Sequence, residues 1–223
     1  MSGVQAADPA DSVPVGLTLV WCLAALAGAV DARGIALLHD IFLSFMSGNS
    51  TMLAVDVATG NWAHAGLIAT VVGSFVAGAA FGQVVAELSG RWRLTIVVAM
   101  VSAILCVPLI HPGATVPALA LAMGALNAAM QHVGKATISI TFVTGALVRF
   151  GQGLGNLLLG RTGDWLWTAQ AVPWTGLVAG AVLTTLLMAD HVALFHFALP
   201  IYAIGLTVAT AEAVRRAGVQ RVG

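Results

Sequence analysis

The amino-acid sequence predicts an all-α membrane protein: a polytopic helix bundle with six spans plus two interrupted, re-entrant segments, arranged as an inverted internal repeat. Of its 223 residues, 59% are hydrophobic and only 8% are charged, and the mean hydropathy is +0.97. Soluble domains carry roughly 25% charged residues, so this composition places the chain in a lipid bilayer. The formal net charge is zero, which gives no argument for nucleic acid as a partner. The alternative fold has eight spans in a parallel repeat.

Apolar stretches set the order of the predicted elements, because a spanning helix needs about 20 residues. Six stretches approach that length, at residues 15–30, 63–86, 94–110, 116–131, 172–188 and 193–211. Turn residues separate them, as at Asn61 beside the interfacial Trp62. The chain therefore divides into a cytoplasmic N-terminal tail (1–14), a first membrane repeat (15–110), a second membrane repeat (114–213) and a basic cytoplasmic tail (214–223).

Two further apolar stretches, residues 35–57 and 137–160, are interrupted by small polar residues. The first contains Phe-Met-Ser-Gly-Asn-Ser-Thr at 45–51, and the second repeats its start as Phe-Val-Thr-Gly at 142–145, an offset of 97 (145 − 48). Backbone that leaves a helix at membrane depth must line a cavity or pack against protein. We predict that the interruptions break both helices and face each other across a binding site. The alternative is close helix packing, for which Gly, Ser and Thr are the usual contacts.

The two halves share four short motifs in the same order, which predicts the internal repeat. Residues 28–32 match 124–128, residues 45–48 match 142–145, residues 59–62 match 162–165, and residues 74–78 match 176–180. Glycines four apart favour close helix contacts, and two such pairs are present: Gly78 with Gly82, and Gly176 with Gly180. We interpret these pairs as packing seams, and a homo-oligomer through the same faces is a predicted partner.

The basic residues outside the segments orient the repeat. If both interrupted segments enter and leave the membrane on one side, Arg33 lies alone opposite the other seven, which are Arg91, Arg93, Lys135, Arg161, Arg215, Arg216 and Arg221. If both segments cross, these residues divide evenly. The positive-inside rule therefore favours six spans with both termini in the cytoplasm of a bacterial inner membrane. Three spans per half reverse the direction of the second half, as in many secondary transporters.

The sequence Gly-Ala-Val-Asp-Ala at 28–32, followed by Ser47-Gly48-Asn49 after Phe45, resembles the YoaK-type family of bacterial integral membrane proteins. That family is known as a domain of unknown function. Ser47 stands where Thr is more usual in the family's Thr-Gly-Asn motif. The resemblance covers nearly the whole chain and implies a polytopic inner-membrane protein, without a substrate or a reaction.

Two matching polar positions lead the candidates for a substrate- or ion-binding site. Asp31 and Asn127 occupy equivalent places in the two halves, and a carboxylate in a membrane segment is costly and tends to be functional or paired. We predict that Asp31 takes up a proton or binds a cation, with Asn127 as its uncharged counterpart; the alternative is an interfacial pair with Arg33. Free amides and hydroxyls of the interruptions suit a bound ion, and these candidates are Ser47, Gly48, Asn49, Thr51, Thr144 and Gly145.

A second group of candidates lies on one predicted helix face, at i, i+3 and i+7: Arg149, Gln152 and Asn156. A buried Arg needs a partner, and we expect Asp31 or Asp40 from the other half, or else a structural ion pair between the halves. Asp40 stands beside His39. Adjacent helical residues point about 100° apart, so these two do not form a catalytic pair, and proton transfer through one of them is the remaining hypothesis.

From the sequence we conclude that the chain is a small-solute secondary transporter or channel, coupled to a proton or an ion because it carries no ATPase motif. Zinc-protease spacing, a nucleophile elbow, a phosphate-binding glycine loop and a cysteine cluster are absent, so no enzyme activity, metal or cofactor is predicted. A non-transporting scaffold or subunit is the alternative. A membrane-embedded enzyme using His39, Asp40 or Asp31 on a lipid-soluble substrate is a third. The predicted partners are the lipid bilayer and a small solute.

Overall fold

The computed structural model describes residues 9–130, 143–161, 165–190 and 192–219. Within these ranges the chain forms helices and their connections, which confirms the predicted all-α membrane bundle. The helices are α1 (Pro9–Leu38), α2 (Met46–Thr59), α3 (Trp62–Leu88), α4 (Arg93–Ile110), α5 (Thr115–Met130), α6 (Val143–Leu158), α7 (Ala171–Asp190) and α8 (Val192–Val219). Short 3₁₀ turns precede α4, α5 and α7, at Gly90–Trp92, Pro112–Ala114 and Trp165–Gln170.

Helix length and hydropathy suit a bilayer, whose ~30 Å hydrocarbon core needs about 20 helical residues. In the described ranges, four helical stretches are long and apolar enough to cross it: Leu17–Leu38, Trp62–Leu88, Gly90–Ile110 and Trp165–Met188. A shorter apolar stretch, Leu199–Glu212, lies in α8. Helices α1 and α8 also extend into the predicted tails, since they include residues 9–14 and 214–219.

The first interrupted segment breaks at a different place from the predicted one. The first span was expected to end at residue 30, but α1 continues through residues 31–34 to Leu38. The non-helical stretch is residues 39–45, and it begins at His39, which adopts a left-handed φ of 69°. The polar sequence from residue 47 onward forms the first turns of α2 instead of a break. Helix α1 continues because the chain after it folds back and covers its polar residues.

Glycines bring two pairs of helices into backbone contact, and each pair joins the two halves. In the first pair, α1 with α7, a Cβ added at Gly180 would overlap the carbonyl of Ala25. In the second pair, α3 with α5, a Cβ added at Gly78 would overlap the carbonyl of Leu121. These glycines are packing seams, as predicted, but within one chain. Homo-oligomerisation stays a prediction, and it would need another surface.

The two seams correspond residue for residue. A Cβ at Gly28 would overlap the carbonyl of Leu177, and a Cβ at Gly124 would overlap the carbonyl of Phe75. Helices α1 and α5 match at an offset of 96 (124 − 28), and α3 and α7 match at an offset of 102 (177 − 75). The same contact is therefore made twice, with the roles of the halves exchanged.

The contacts also give the directions of the paired helices. Between α1 and α7, the contacts advance along both helices in the same direction, from Trp21 with Gly176, through Ala25 with Gly180, to Arg33 with Met188. Between α3 and α5, the contact of Gly82 with Ala125 likewise follows that of Gly78 with Leu121. Each pair of helices therefore runs parallel.

The core lies between the halves and is built chiefly from α1, α3, α4 and α5. Their large, fully buried side chains include Leu23, Leu26, Ile68, Val97, Met123 and Leu126. Helix α7 instead keeps large apolar side chains exposed, among them Val182, Leu183 and Leu186. Exposed aliphatic side chains are stable against lipid, so this face of α7 suits the outside of a membrane bundle.

Replacing Gly78 by Ala should force α3 away from α5, because the new methyl group would overlap backbone that cannot rotate away. We expect the free energy of unfolding in detergent to fall by ~1–3 kcal/mol, the usual cost of overpacking. Gly73→Ala in the same helix is the matched control, since open space surrounds Gly73, and it should be neutral or slightly stabilising. Equal effects of the two substitutions would contradict the seam.

Candidate functional site

Asp31 lies inside α1 and binds the chain that follows this helix. It is 7% exposed, and both of its carboxylate oxygens accept hydrogen bonds. Oδ1 accepts from the backbone N–H groups of Leu43 (2.8 Å) and Ser44 (2.6 Å), while Oδ2 accepts from the Ser44 hydroxyl (2.6 Å). Hydrogen bonds to a carboxylate are roughly twice as strong as neutral ones. Asp31 therefore holds non-helical backbone against α1.

Asn49, in α2, binds the same stretch of chain from the other side. It is 0% exposed. Its Oδ1 accepts from the N–H of Phe42 (3.1 Å), and its Nδ2 donates to the carbonyl oxygen of Phe42 (2.6 Å). One amide side chain thus satisfies both backbone groups of a residue that has no helical partner. We call residues 39–45, held between Asp31 and Asn49, the pinned segment.

Gly34 allows the pinned segment to lie directly on α1. A Cβ at this position would lie 2.8 Å from Leu43 Cγ and 3.0 Å from the carbonyl oxygen of Ile41. Ile41 and Leu43 are fully buried, so the segment is packed through apolar side chains as well as hydrogen-bonded. Residues 31–34, expected to follow the end of the first span, are instead helical and form the surface on which the pinned segment rests.

The pinned segment begins where α2 ends. His64, in the first turn of α3, contacts Asp40 through Nε2 (3.3 Å) and Asp56 through Nδ1 (2.6 Å). Asp56 lies in the last turn of α2, which ends at Gly60 with a left-handed φ of 78°. The chain therefore leaves α1, runs back along it, and returns in α2 to the level at which it left. Both ends of the first interrupted segment lie together.

Three candidates on α2 do not form the predicted break. The Thr51 hydroxyl donates to the carbonyl oxygen of Ser47 (3.2 Å) within the helix, and both residues are exposed. A Cβ at Gly48 would lie 2.9 Å from the ring of Phe45, at the end of the non-helical stretch just before α2. Of the polar residues at 47–51, only Asn49 hydrogen-bonds the pinned segment that Asp31 also holds.

Asn127, the counterpart of Asp31, is buried in α5, and its Nδ2 donates to the carbonyl oxygen of Met123 (2.9 Å). The chain that would correspond to the pinned segment falls within residues 131–142. That stretch, which includes Phe142 of the repeated motif, lies outside the described residues. Among the described residues, the hydrogen bonds between this polar position and the chain that follows its helix are therefore seen only for Asp31, in the first half.

Thr144 and Gly145 begin α6 in the way that their counterparts begin α2. The position that matches Asn49 is Ala146 (146 − 97 = 49), which is buried. A methyl group cannot hydrogen-bond the backbone as Asn49 does. The second half of the chain therefore has no side-chain amide at this position to hydrogen-bond the backbone.

Three further candidates are exposed side chains on α6: Arg149, Gln152 and Asn156. Arg149 Nε donates to Oε1 of Gln170 (3.0 Å), in the turn before α7. The expected ion pair of Arg149 with Asp31 or Asp40 is not formed. The reason is that α6 packs against α7 and the turn before it, and not against the helices that hold Asp31 and Asp40.

Sequence reasoning misses Ser44, Asp56 and His64, although all three contact predicted site residues. The available signal is the Thr-Gly-Asn turn at 59–61. It places Asp56 and His64 on either side of a two-residue connection between α2 and α3. Ser44 carries no comparable signal, because its contact with Asp31 depends on the chain folding back along α1.

A cavity of about 410 Å³ lies between α1, α7 and α8. Its lining is mostly apolar and includes Trp21, Leu26, Leu183 and Leu199. Tyr202 also lines it, and the Tyr202 hydroxyl donates to the backbone carbonyl of Cys22 (2.9 Å). An apolar lining suits acyl chains better than a polar solute. Asp31 is not among the lining residues, so this cavity is distinct from the polar surroundings of Asp31.

These features define a multi-pass, all-α transmembrane protein that carries an irregular segment bound to a buried carboxylate. The chain belongs to the family described as "Protein of unknown function (DUF1275)", whose model matches residues 19–211. It is similar to the UPF0700 transmembrane protein RA0705 of Rhizobium meliloti (strain 1021), with 37% identity over 206 residues that cover 91% of this chain and 89% of the relative. No solved structure matches. The expected membrane family of unknown function is confirmed.

Replacing Asn49 by Ala should loosen the pinned segment, because it strips both backbone groups of Phe42 of their partners. A buried polar group without a partner costs about 1–3 kcal/mol, and we expect a loss of that size or more in the free energy of unfolding in detergent. Asn61→Ala is the control, since Asn61 is exposed in the α2–α3 turn. If Asn61→Ala costs as much as Asn49→Ala, the pin is not a stabilising contact.

Proposed function

We propose that this protein is a small-solute secondary transporter or channel of the bacterial inner membrane, with its site between the two interrupted segments and close to Asp31 and Asn127. One observation carries the proposal: a buried carboxylate, in a helix long and apolar enough to cross a membrane, binds irregular backbone. Ionisable residues inside membrane segments are expensive and mark ion or substrate pathways. Irregular backbone is tolerated there where it is buried in protein or lines a cavity.

Helix directions support an inverted repeat. Arg33, near the end of α1, lines a small cavity with Pro200, near the start of α8, so α8 runs opposite to α1. Ser102 Oγ lies 3.2 Å from Thr207 Oγ1, and Pro108 lines a small cavity with Pro200. Residue numbers rise along α4 as they fall along α8, so these two helices are antiparallel. Helix α4 therefore runs with α1, whereas α3 and its parallel partner α5 run against it. Equivalent helices α1 and α5 then point in opposite directions, which is the arrangement of many transporters.

The path of the pinned segment supports a re-entrant loop and six spans. Because Asp40 and the end of α2 meet at His64, the two ends of the first interrupted segment lie together, as a re-entrant loop requires. With six spans, the basic residues gather on one side, and the positive-inside rule puts both termini in the cytoplasm. Energy would come from a proton or ion gradient, since the sequence has no ATPase motif. We also propose that the protein is not an enzyme and uses no cofactor.

Protonation of Asp31 offers a mechanism for coupling. The ionised carboxylate is an acceptor only, and it receives three hydrogen bonds from Leu43 and Ser44. A proton on Oδ2 would reverse the contact with the Ser44 hydroxyl, which would then accept, and it would remove the charge that strengthens the two N–H bonds to Oδ1. The pinned segment is then held less tightly, and the site beside it opens. Proton binding to Asp31 would thus release the segment, and loss of the proton would fasten it again.

A non-transporting scaffold or subunit is the second candidate, and the glycine seams favour it. In a scaffold, Asp31 and Asn49 would serve folding alone, and helix packing would matter most. Gly78→Leu would then impair function more than Asn49→Ala. In a transporter, Asp31 and Asn49 variants that still fold would lose function.

Transport can be tested with purified protein in liposomes that contain the pH indicator pyranine. Amino acids, monocarboxylates, sugars and inorganic anions are presented in turn, with and without a proton gradient. We expect one class to cause a solute-dependent pH change that Asp31→Asn abolishes and Asn49→Ala weakens. Glu87→Gln, an exposed carboxylate at the end of α3, is the control and should transport normally. Transport at wild-type rates by both the Asp31 and the Asn49 variants would contradict the proposal.

A further inference from the structure

A second titratable cluster lies at the other end of the pinned segment from Asp31. Asp40 is near the start of the segment, Asp56 is in the last turn of α2, and His64 is in the first turn of α3. His64 Nε2 lies 3.3 Å from Asp40 Oδ1, and His64 Nδ1 lies 2.6 Å from Asp56 Oδ2. The side chain of Asn61 adds a neutral contact, because its Nδ2 donates to Asp56 Oδ1 (3.1 Å). One imidazole therefore bridges two carboxylates from different elements.

The geometry suits a proton and excludes one shared metal ion. The two carboxylates approach different nitrogens of the His64 ring, so a single ion could not contact all three side chains. Throughout the described ranges, no group of three or more His, Cys, Asp or Glu is placed to hold a metal ion. A proton is different, because it can sit on either ring nitrogen and leave both contacts in place.

The number of bonds that His64 can donate depends on its protonation. A neutral imidazole has one N–H donor and one acceptor nitrogen, whereas the imidazolium has two N–H donors. Ionised Asp40 and Asp56 are acceptors only. Protonated His64 can therefore donate to both carboxylates at once. Neutral His64 can donate to one of them, and the other carboxylate then faces a nitrogen lone pair.

We propose that Asp40, His64 and Asp56 form a proton-binding latch that fastens the start of the pinned segment to the α2–α3 turn. A proton on His64 closes the latch, and loss of that proton opens it. The proposal goes beyond transport, since it assigns a regulatory proton to a site other than Asp31. Its test measures the segment itself, so it can fail while the proposed transport stands, and the reverse also holds.

Asp40 is the side that opens. Its contact with His64 is the longer of the two, and its side chain is 55% exposed, against 13% for Asp56. Asp56 is also held by Asn61. The neutral imidazole therefore keeps its single hydrogen bond to Asp56 and gives up Asp40. His39, next to Asp40, has a left-handed φ of 69°, which is uncommon for a residue with a side chain, and a change at this residue can release the segment.

The test measures how easily the pinned segment is reached by a thiol reagent. Ile41, next to Asp40 and fully buried, is replaced by Cys in a chain with Cys22→Ala and Cys106→Ala. N-ethylmaleimide labelling of the purified full chain is followed from pH 5 to pH 9. Each rate is divided by the rate of a single Arg161→Cys chain, whose exposed thiol lies outside the latch and corrects for thiol ionisation. We expect the ratio to rise about fivefold as the pH rises, because the loss of a partly exposed ion pair changes the opening equilibrium of the segment by about this factor.

Two variants decide the outcome. With His64→Gln the ratio should be high and independent of pH, because no proton can close the latch. Asp40→Asn removes an exposed carboxylate and should give the same flat response, so it decides the question if His64→Gln fails to fold. Glu87→Gln should keep the wild-type response. A ratio that does not change with pH in the parent chain, or a response that survives in a folded His64→Gln or Asp40→Asn chain, would overturn the latch.

Discussion

The three hydrogen bonds that Asp31 accepts from Leu43 and Ser44 are the contact on which the rest of the first half depends. Backbone outside a helix has no water to bind inside a bilayer, so its N–H groups need acceptors from the protein. The charged carboxylate of Asp31 supplies these acceptors for Leu43 and Ser44, and Asn49 supplies a donor and an acceptor for the backbone of Phe42. With the segment fixed in this way, α2 must return to the end of α1, and α3 must start there. The buried carboxylate thus sets the order and direction of the helices that follow.

Close backbone packing is the second constraint, and it explains how two halves of one chain become a single body. Helix α1 carries Asp31 and Gly34 for the pinned segment, and Gly28 for α7. The seams are not identical along their length. Gly82 contacts Ala125 in the α3–α5 pair, but the matching position in α7 is Thr184 (184 − 82 = 102), opposite Ala29. A threonine cannot approach as closely as a glycine, and both Thr184 and Ala29 line the 410 Å³ cavity. The cavity therefore lies where this seam has a threonine in place of the glycine of the other seam.

Hydropathy alone locates most of the helices, because a span must be apolar over about 20 residues and few soluble elements are. The repeated glycine motifs likewise predict the seams, since only small residues permit that contact. The position of the break could not be predicted, because it depends on contacts between residues 12 and 13 apart, Asp31 with Leu43 and Ser44. The bridge from Asp40 to His64 is equally non-local, and Arg149 does not meet its expected partners because α6 packs against α7 and the turn before it.

The central claim is that the two halves run in opposite directions, with each interrupted segment returning to its own side of the membrane. The most direct measurement places a single cysteine at Asn61, and separately at Arg161, in a chain without Cys22 and Cys106. Both positions are exposed, and they lie in the turns after α2 and α6. Intact cells are treated with a membrane-impermeant thiol reagent. Our account predicts that the Asn61→Cys chain is labelled from outside, and that the Arg161→Cys chain is labelled only after the cells are permeabilised. If both chains are labelled alike, the repeat is parallel with eight spans, and the inverted arrangement is wrong.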